Sequence, residues 1–532
     1  MGFRDRIVER GKQLASTPRF LRVLSDDRVM RAAEGVMDAR SRMRAAAQKA
    51  GEAWQLLIQG HGLPSVDPSI ADDIDLPLAR RTSGNGKTNG HSNGGSGHGI
   101  SSVGPGPTSV GSNGQSHANG HGDTTARTVE GDELAASMAS RTSLSAIGGR
   151  DVFEKAFKFR AADNARKMGV YPFFRPLDFN DGPEAVLEGR RVTMFGSNNY
   201  LGLTTHPKVR EAAIDAIQKY GTSMTGSRLV NGSMKMHNQL EEKLAAFFNK
   251  EAALVFTTGY QVNLATISAM LSNKKCVAVI DRNDHASIYD GVRLGQAVGA
   301  RMVRYRHNDP ESLDRTLEEL ALDDGAFVIT DGVFSAEGEI ARLPELLQVA
   351  KKHNARIFVD DAHALGVIGP SGRGTAAHFG VGAEVDLIGG TFSKSLASIG
   401  GWLVGERKVL DYIQHFASSF MFAASAAPPC VAAAMAALEV MQEETWRIDK
   451  LRDNYTYMRE ELIKMGWDVG HSQTAVIPLY VRQDLRTIMM WKELLDVHGI
   501  YTNPFISPGV PPKQAMLRTS YMATHSREQL DK

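Results

Sequence analysis

Lys394 stands in the run GGTFSKS, behind a short apolar stretch and between the glycine pairs 389–390 and 400–401. Thr391, Ser393 and Ser395 offer hydroxyls suited to a phosphate, and the glycines let backbone approach a ligand closely. A lysine held in such a place can form a Schiff base with an aldehyde, whereas an isolated lysine on a turn is a solvated surface group. In IFVDDAHALG a strand delivers Asp360, Asp361 and His363 to one loop. A buried Asp facing a heteroaromatic nitrogen keeps that nitrogen protonated and turns the ring into an electron sink; the same loop also suits a metal or a helix cap. DRNDHASIYDG puts His285 just after another strand, where imidazole can stack on a flat ring or act as a structural hydrogen-bonder. FTTGYQVN passes from strand through a glycine turn into a helix, with Gly259 and Tyr260 in a first turn whose free N–H groups attract phosphate.

These residues need a scaffold that brings strand ends together. From about Asp151 onward, apolar runs alternate with helical patterns: Ala253–Phe256, Val277–Ile280, Phe327–Thr330, Ile357–Val359 and Val385–Ile388. Strands buried on both faces read as continuous apolar runs, and alternation with helices implies a mostly parallel α/β sheet covered on both sides. Ligands in such sheets sit outside the carboxyl ends of the strands, where the clusters TTGY, DRNDH, DGVFS, DDAH and GGTFSK fall. The expected division is a catalytic domain over 151–444 and a smaller α+β lobe over 445–532, with a strand at Ala475–Val481 and the sequence LRTSYMATHS. No internal repeat is visible.

Upstream, Val29, Ala33, Val36, Met43, Ala47, Ala50, Trp54 and Leu57 share one side of a helix that carries Arg28, Arg31, Arg42 and Lys49 on the other. Residues 1–60 are therefore read as an amphipathic helical segment, which can pack on another helix or rest on an anionic membrane surface. Residues 61–150 read as a flexible linker, because glycine, serine and asparagine dominate from Ser83 to Gly122 and too little apolar surface is present to offset ordering entropy. His91, His98, His117 and His121 in that linker have no fixed geometry, and no metal site is expected.

Composition narrows the function further. With 61 Lys+Arg against 60 Asp+Glu in 532 residues, the formal charge of +1 provides no global field for nucleic acid. Two cysteines, Cys276 and Cys430, make neither a disulfide framework nor a zinc cluster and fit a reducing cytoplasm. No apolar run approaches the roughly 18 to 20 residues that cross a bilayer.

In the order NNYLG, GSR, TGY, DHAS, DDAH, TFSK, the pieces resemble the α-oxoamine synthase family of pyridoxal-phosphate enzymes, over about Phe195 to His525. The stretches GSNNYLGLTTHP, TGSRLVNGS, DHASIYDG, DGVFSAEGEIARL, VDDAHALGVIGPSGRG and GTFSKSLASIGG carry the likeness. LVNGS, DRNDHASIYDG and RHND look most like the bacterial serine palmitoyltransferases. The resemblance implies a fold-type-I homodimer with sites at the subunit interface and pyridoxal 5'-phosphate as cofactor. It implies Lys394 as the cofactor-bonding lysine, Asp360 as partner of the pyridine nitrogen, His285 as the stacking residue and His363 as the group at the phenolic oxygen. Gly259, Tyr260, Thr391 and Ser393 would hold the phosphate, and Arg518, Asn199 and Ser335 the amino-acid substrate.

The implied reaction condenses an amino acid, L-serine by this likeness, with a long-chain acyl-CoA, releasing CoA and carbon dioxide and leaving an α-amino ketone. An 8-amino-7-oxononanoate synthase or 2-amino-3-ketobutyrate ligase activity is the alternative, and a non-catalytic homologous subunit or an N-terminal targeting module belongs to another class. The implied location is cytoplasmic, with peripheral contact at the inner membrane face through the N-terminal helix.

Three departures from the family pattern stand out. FAASAAPP has Ala423 and Ala424 where a hydroxyl residue reaches the neighbouring subunit's phosphate. Asn198 replaces a common aromatic. The chain stops at Lys532, where relatives usually continue into another helix.

Overall fold

The computed structural model of the protein describes residues 151–532. The basic amphipathic segment, the glycine-rich stretch and the expectations placed on them lie outside the described residues.

Near the start of the described chain, β1 (Phe179–Asp181), β2 (Glu184–Leu187) and β3 (Arg190–Met194) form a small antiparallel meander. Seven strands then build the main sheet: β4 (Ala252–Phe256), β5 (Cys276–Asp281), β6 (Arg301–Tyr305), β7 (Gly325–Asp331), β8 (Arg356–Asp360), β9 (Leu387–Thr391) and β10 (Gly401–Gly405). The last strands are β11 (Val476–Tyr480), β12 (Ile500–Tyr501), β13 (Asn503–Phe505) and β14 (Met516–Ser520).

Across the main sheet the order is β4-β10-β9-β8-β7-β5-β6. The run from β9 to β6 is parallel, and β10 pairs antiparallel with both β4 and β9. The sheet is thus mostly parallel, as the alternation of apolar runs and helices requires. Its central strands bury both faces. Val277, Val279, Val328, Ile357 and Val359 enter one hydrophobic cluster, while Ala278, Ile280, Phe327, Ile329 and Phe358 enter the other. Side chains alternate along each strand, so a doubly covered sheet must be apolar at every position.

All five apolar runs are strands, with the last beginning at Leu387 rather than Val385. Two strands carry no such signature. β6 lies at the sheet edge and is only partly buried along RMVRY, and β10 is a five-residue strand closed by glycine at each end.

Of the elements that follow, β11, β14 and β13 form an antiparallel sheet with β14 central, and β12 pairs parallel with β3. The segment that includes 179–194 therefore shares a sheet with residues 500–501 far along the chain. Among the described residues, no helix is long and apolar enough to cross a membrane.

Candidate active site

Parallel strands point their carboxyl ends the same way, and here they converge on one cavity of ≈ 300 Å³. It is lined by Thr258, Gly259 and Tyr260 after β4, His285 and Ser287 after β5, Asp331, Val333 and Ser335 at and after β7, Asp360, Ala362 and His363 at and after β8, and Gly390, Thr391, Ser393 and Lys394 around the end of β9. Asn263 completes the wall. Residues separated by more than a hundred positions in the chain thus share one space.

At one end is the helix Gly259–Met270. Thr258 caps it by accepting a hydrogen bond at Oγ1 from the Gln261 N–H (3.1 Å), and its first turn shares the cavity wall with Thr391 and Ser393, whose hydroxyls are 2.6 Å apart. A Cβ on Gly259 would lie 2.6 Å from Thr391 Cβ, so only glycine lets the helix start approach β9 this closely. Helix N-terminus and hydroxyls together make an anion cradle. Tyr260 stands at the mouth, its phenol donating to Asp290 and its ring edge-on to His285 with centroids 6.3 Å apart.

At the other end Asp360 is nearly fully buried. Its Oδ2 accepts from Asn263 Nδ2 (2.7 Å) and its Oδ1 from the Ala362 N–H (3.0 Å). Asn263 also bonds Ser287 Oγ (2.7 Å), which in turn bonds His285 Nδ1 (2.7 Å), so Asp360 and His285 are fixed through one shared network. The adjacent Asp361 turns away. It accepts the Thr375 N–H (2.9 Å) and lies against Gly332 and Gly374, and burial pushes its carboxyl up to about 7. Of these two adjacent acids, Asp360 faces the cavity and Asp361 props the loop.

Charge in this space is scarce and directed. Burial lowers the Lys394 amine to about 8, with Arg518 lowering it further and Asp360 and Asp331 holding it up. Burial likewise depresses His285 and His363, with the charge of Lys394 adding to the effect. Asp331, beside Asp360 across the β7–β8 pair, is pushed well above the usual carboxylate range by burial and by Asp360, and its buried Oδ1 has no hydrogen-bond partner among the described residues. In the turn after β6, burial would depress His307, yet Asp281 (3.0 Å) and Glu339 hold it at about 10.

Arg518, on β14, is not in the cavity wall but reaches it in two ways. Its Nε donates to the Ser335 carbonyl (2.6 Å), and its Nη1 and Nη2 donate to Asn198 Oδ1 (3.1 Å each). Tyr200 Oη lies 3.3 Å from Asn198 Oδ1 and 2.7 Å from His363 Nδ1. Asn199 donates to Thr204 (2.8 Å), and the asparagine in contact with Arg518 is its neighbour Asn198.

The sequence reading missed Asn263, Ser287, Asp331, Tyr200 and Asn198 as site residues. Asn263 lies one helical turn beyond Gly259 and therefore on the same face, which is the signal that was available for it. Asp331 ends a strand in the cluster DGVFS. Tyr200 and Ser287 lie within the motifs NNYLG and DHAS.

The arrangement suits a ligand with an anionic end, a flat ring bearing a basic nitrogen, and a carbonyl within reach of an amine. A pyridoxal phosphate matches this donor set: the cradle would take the phosphate, Asp360 the ring nitrogen and Lys394 the aldehyde carbon.

Known proteins point the same way. A match to the family described as aminotransferase class I and II spans residues 190–532. A serine palmitoyltransferase from Sphingobacterium spiritivorum is 43% identical over 378 residues, 71% of this chain and 94% of that protein. An 8-amino-7-oxononanoate synthase from Thermoanaerobacter pseudethanolicus is 38% identical over 370 residues, 69% of this chain and 92% of that protein. Among solved structures, a serine palmitoyltransferase from S. paucimobilis with a bound PLP–myriocin aldimine aligns with a TM-score of 0.68 at 33% identity, covering 72% of this chain and 96% of that one.

Proposed function

We propose, for a chain that belongs to the class I and II aminotransferase family and within it to the α-oxoamine synthases, the pyridoxal-phosphate-dependent condensation of L-serine with a long-chain acyl-CoA. A bond forms between the serine α-carbon and the acyl carbonyl carbon while the thioester C–S bond breaks and CoA leaves. Loss of the serine carboxylate as carbon dioxide gives a 3-ketosphinganine-type long-chain base. The observation that carries this reading is the pairing, in one cavity, of a lysine amine lowered to about 8 with a buried, doubly hydrogen-bonded aspartate.

When bound, pyridoxal phosphate supplies an electron sink that stabilises negative charge at the amino acid's α-carbon. The chain's residues then divide the work. Gly259 and Tyr260 N–H groups with Thr391 and Ser393 would hold the phosphate, and His285 would cover the ring. Asp360, held by Asn263 and the Ala362 N–H, would keep a proton on the ring nitrogen. His363, with Nδ1 taken by Tyr200, would have Nε2 left for the phenolic oxygen. Lys394 Nζ, once neutral, accepts the α-proton, for which an amine near the working pH is suited. Arg518 holds the carboxylate and Ser335 fixes the guanidinium, which sets the bond that breaks.

The same reading makes the active form a homodimer, with domains at 151–444 and 445–532 and residues 1–60 as a peripheral contact to the inner membrane face of a cytoplasmic enzyme. A second reading, 8-amino-7-oxononanoate or 2-amino-3-ketobutyrate synthesis from alanine or glycine, is favoured by the double asparagine at 198–199 and by the 38% identical relative.

An absorbance titration of the cofactor-loaded protein with serine, alanine and glycine separates the two. The largest spectral response is expected with serine, and Lys394→Ala abolishes the cofactor band. A larger response to alanine or glycine reassigns the amino acid. A protein that stays colourless with excess pyridoxal phosphate removes the reading altogether.

A further inference from the structure

Asn263 and Ser287 are 2% and 1% exposed, and they join Asp360 to His285 through three contacts of 2.7 Å each: Asn263 Nδ2 to Asp360 Oδ2, Asn263 Nδ2 to Ser287 Oγ, and Ser287 Oγ to His285 Nδ1. Each contact admits one direction of donation. An ionised carboxylate has no proton to give, so the Asn263 atom that faces Asp360 is the amide nitrogen, and the second proton of the same group goes to Ser287 Oγ. The serine hydroxyl accepts there and turns its own proton to His285 Nδ1. His285 is also the N-cap of the helix Ala286–Gln296, where Nδ1 accepts the Ser287 N–H (3.3 Å). A ring nitrogen that accepts from both sources offers its lone pair and carries no proton of its own.

We infer that Asn263 and Ser287 are positioning residues that hold His285 as the neutral imidazole with its proton on Nε2. The inference rests on the reading of Asp360 as the ionised partner of the ring nitrogen, because that charge orients the Asn263 amide and, through it, the two contacts beyond. Burial lowers His285 and Lys394 lowers it further, while Asp360 and Asp290 raise it, and the balance lies on the neutral side. A neutral imidazole can cover a ring whose nitrogen is protonated without setting two cations face to face, and Nε2–H remains as its one donor. Asp360 thereby serves two groups: it faces the cavity itself, and it fixes the tautomer of the histidine across from it.

The test is the nitrogen NMR spectrum of the full-chain holoenzyme with histidine isotope-labelled in its ring nitrogens, His285 being assigned by the signals that His285→Gln removes. In the wild type Nδ1 is expected at the position of an unprotonated, accepting nitrogen and Nε2 at that of a protonated one. In Ser287→Ala and in Asn263→Ala the two signals are expected to shift towards each other as the ring begins to exchange between tautomers, while a distant histidine such as His353 keeps its own. A wild-type spectrum with the proton on Nδ1, or with both nitrogens protonated, overturns the inference. So do alanine variants whose His285 signals match the wild type. The wild-type spectrum decides the tautomer alone where a variant does not fold. A protein that retains no pyridoxal phosphate overturns the functional reading instead, and the spectrum of the cofactor-free chain still decides the tautomer, so the two failures are distinct.

Discussion

Lys394 shows how burial writes chemistry onto one side chain. Its ammonium loses solvation, Arg518 adds repulsion, and Asp360 and Asp331 restore only part of the difference, which leaves the amine near 8. We expect labelling of Lys394 in the cofactor-free protein by an amine-selective acylating reagent, followed by mass spectrometry, to rise through about pH 8, well below the ordinary range of surface lysines. Labelling that tracks the surface lysines would show the amine to be solvated. At this scale the sequence was informative where a residue type has few other uses: Lys394, His285, His363 and the glycine at 259 all stand in the cavity wall. It was silent where the partner is distant. Asn263 meets Asp360 across 97 positions, and Asp361 meets Thr375 on a later turn.

At the scale of elements, the approach of the Gly259–Met270 helix to the end of β9 sets the width of the phosphate cradle. Gly259→Ala places a methyl group 2.6 Å from Thr391 Cβ, and relieving that overlap is expected to cost about 1–3 kcal/mol. The cost should appear as weaker pyridoxal-phosphate affinity in a titration, and unchanged affinity would mean that the helix start has room to spare. The turn after β6 makes a different claim. His307 is held at about 10 by Asp281 and Glu339 against the effect of burial, so its folded-state value lies above the ordinary 6.5. The stability it contributes is complete below about 6.5 and is lost as pH rises towards 10. His307→Gln should therefore flatten the fall in melting temperature over that range, and an identical pH profile in the variant would contradict the pairing. β6 and β10 mark the limit of reading elements from apolar runs, since an edge strand needs only one buried side and a glycine-bounded strand looks like a turn.

For the whole molecule, the alternation of runs and the strand-end clusters were enough to give a mostly parallel sheet with its chemistry at one edge. Pairings that join distant segments, such as β3 with β12, leave no local trace. If residues 1–150 serve to bring the enzyme to lipid, their removal should leave the cofactor band and turnover of a short, soluble acyl-CoA intact. Co-sedimentation with anionic vesicles should fall. Loss of turnover with soluble substrate would assign them to the catalytic body instead.

The reversed strand β10 has a last consequence. Because it runs back beside β9, with Gly401 opposite Thr391 and the Phe392 N–H bonded to the Gly400 carbonyl (3.0 Å), the loop bearing Lys394 is stitched to the sheet at both ends. A lysine on so short a leash has a stationary base, so whatever reach its amine has must come from rotation about its own methylenes.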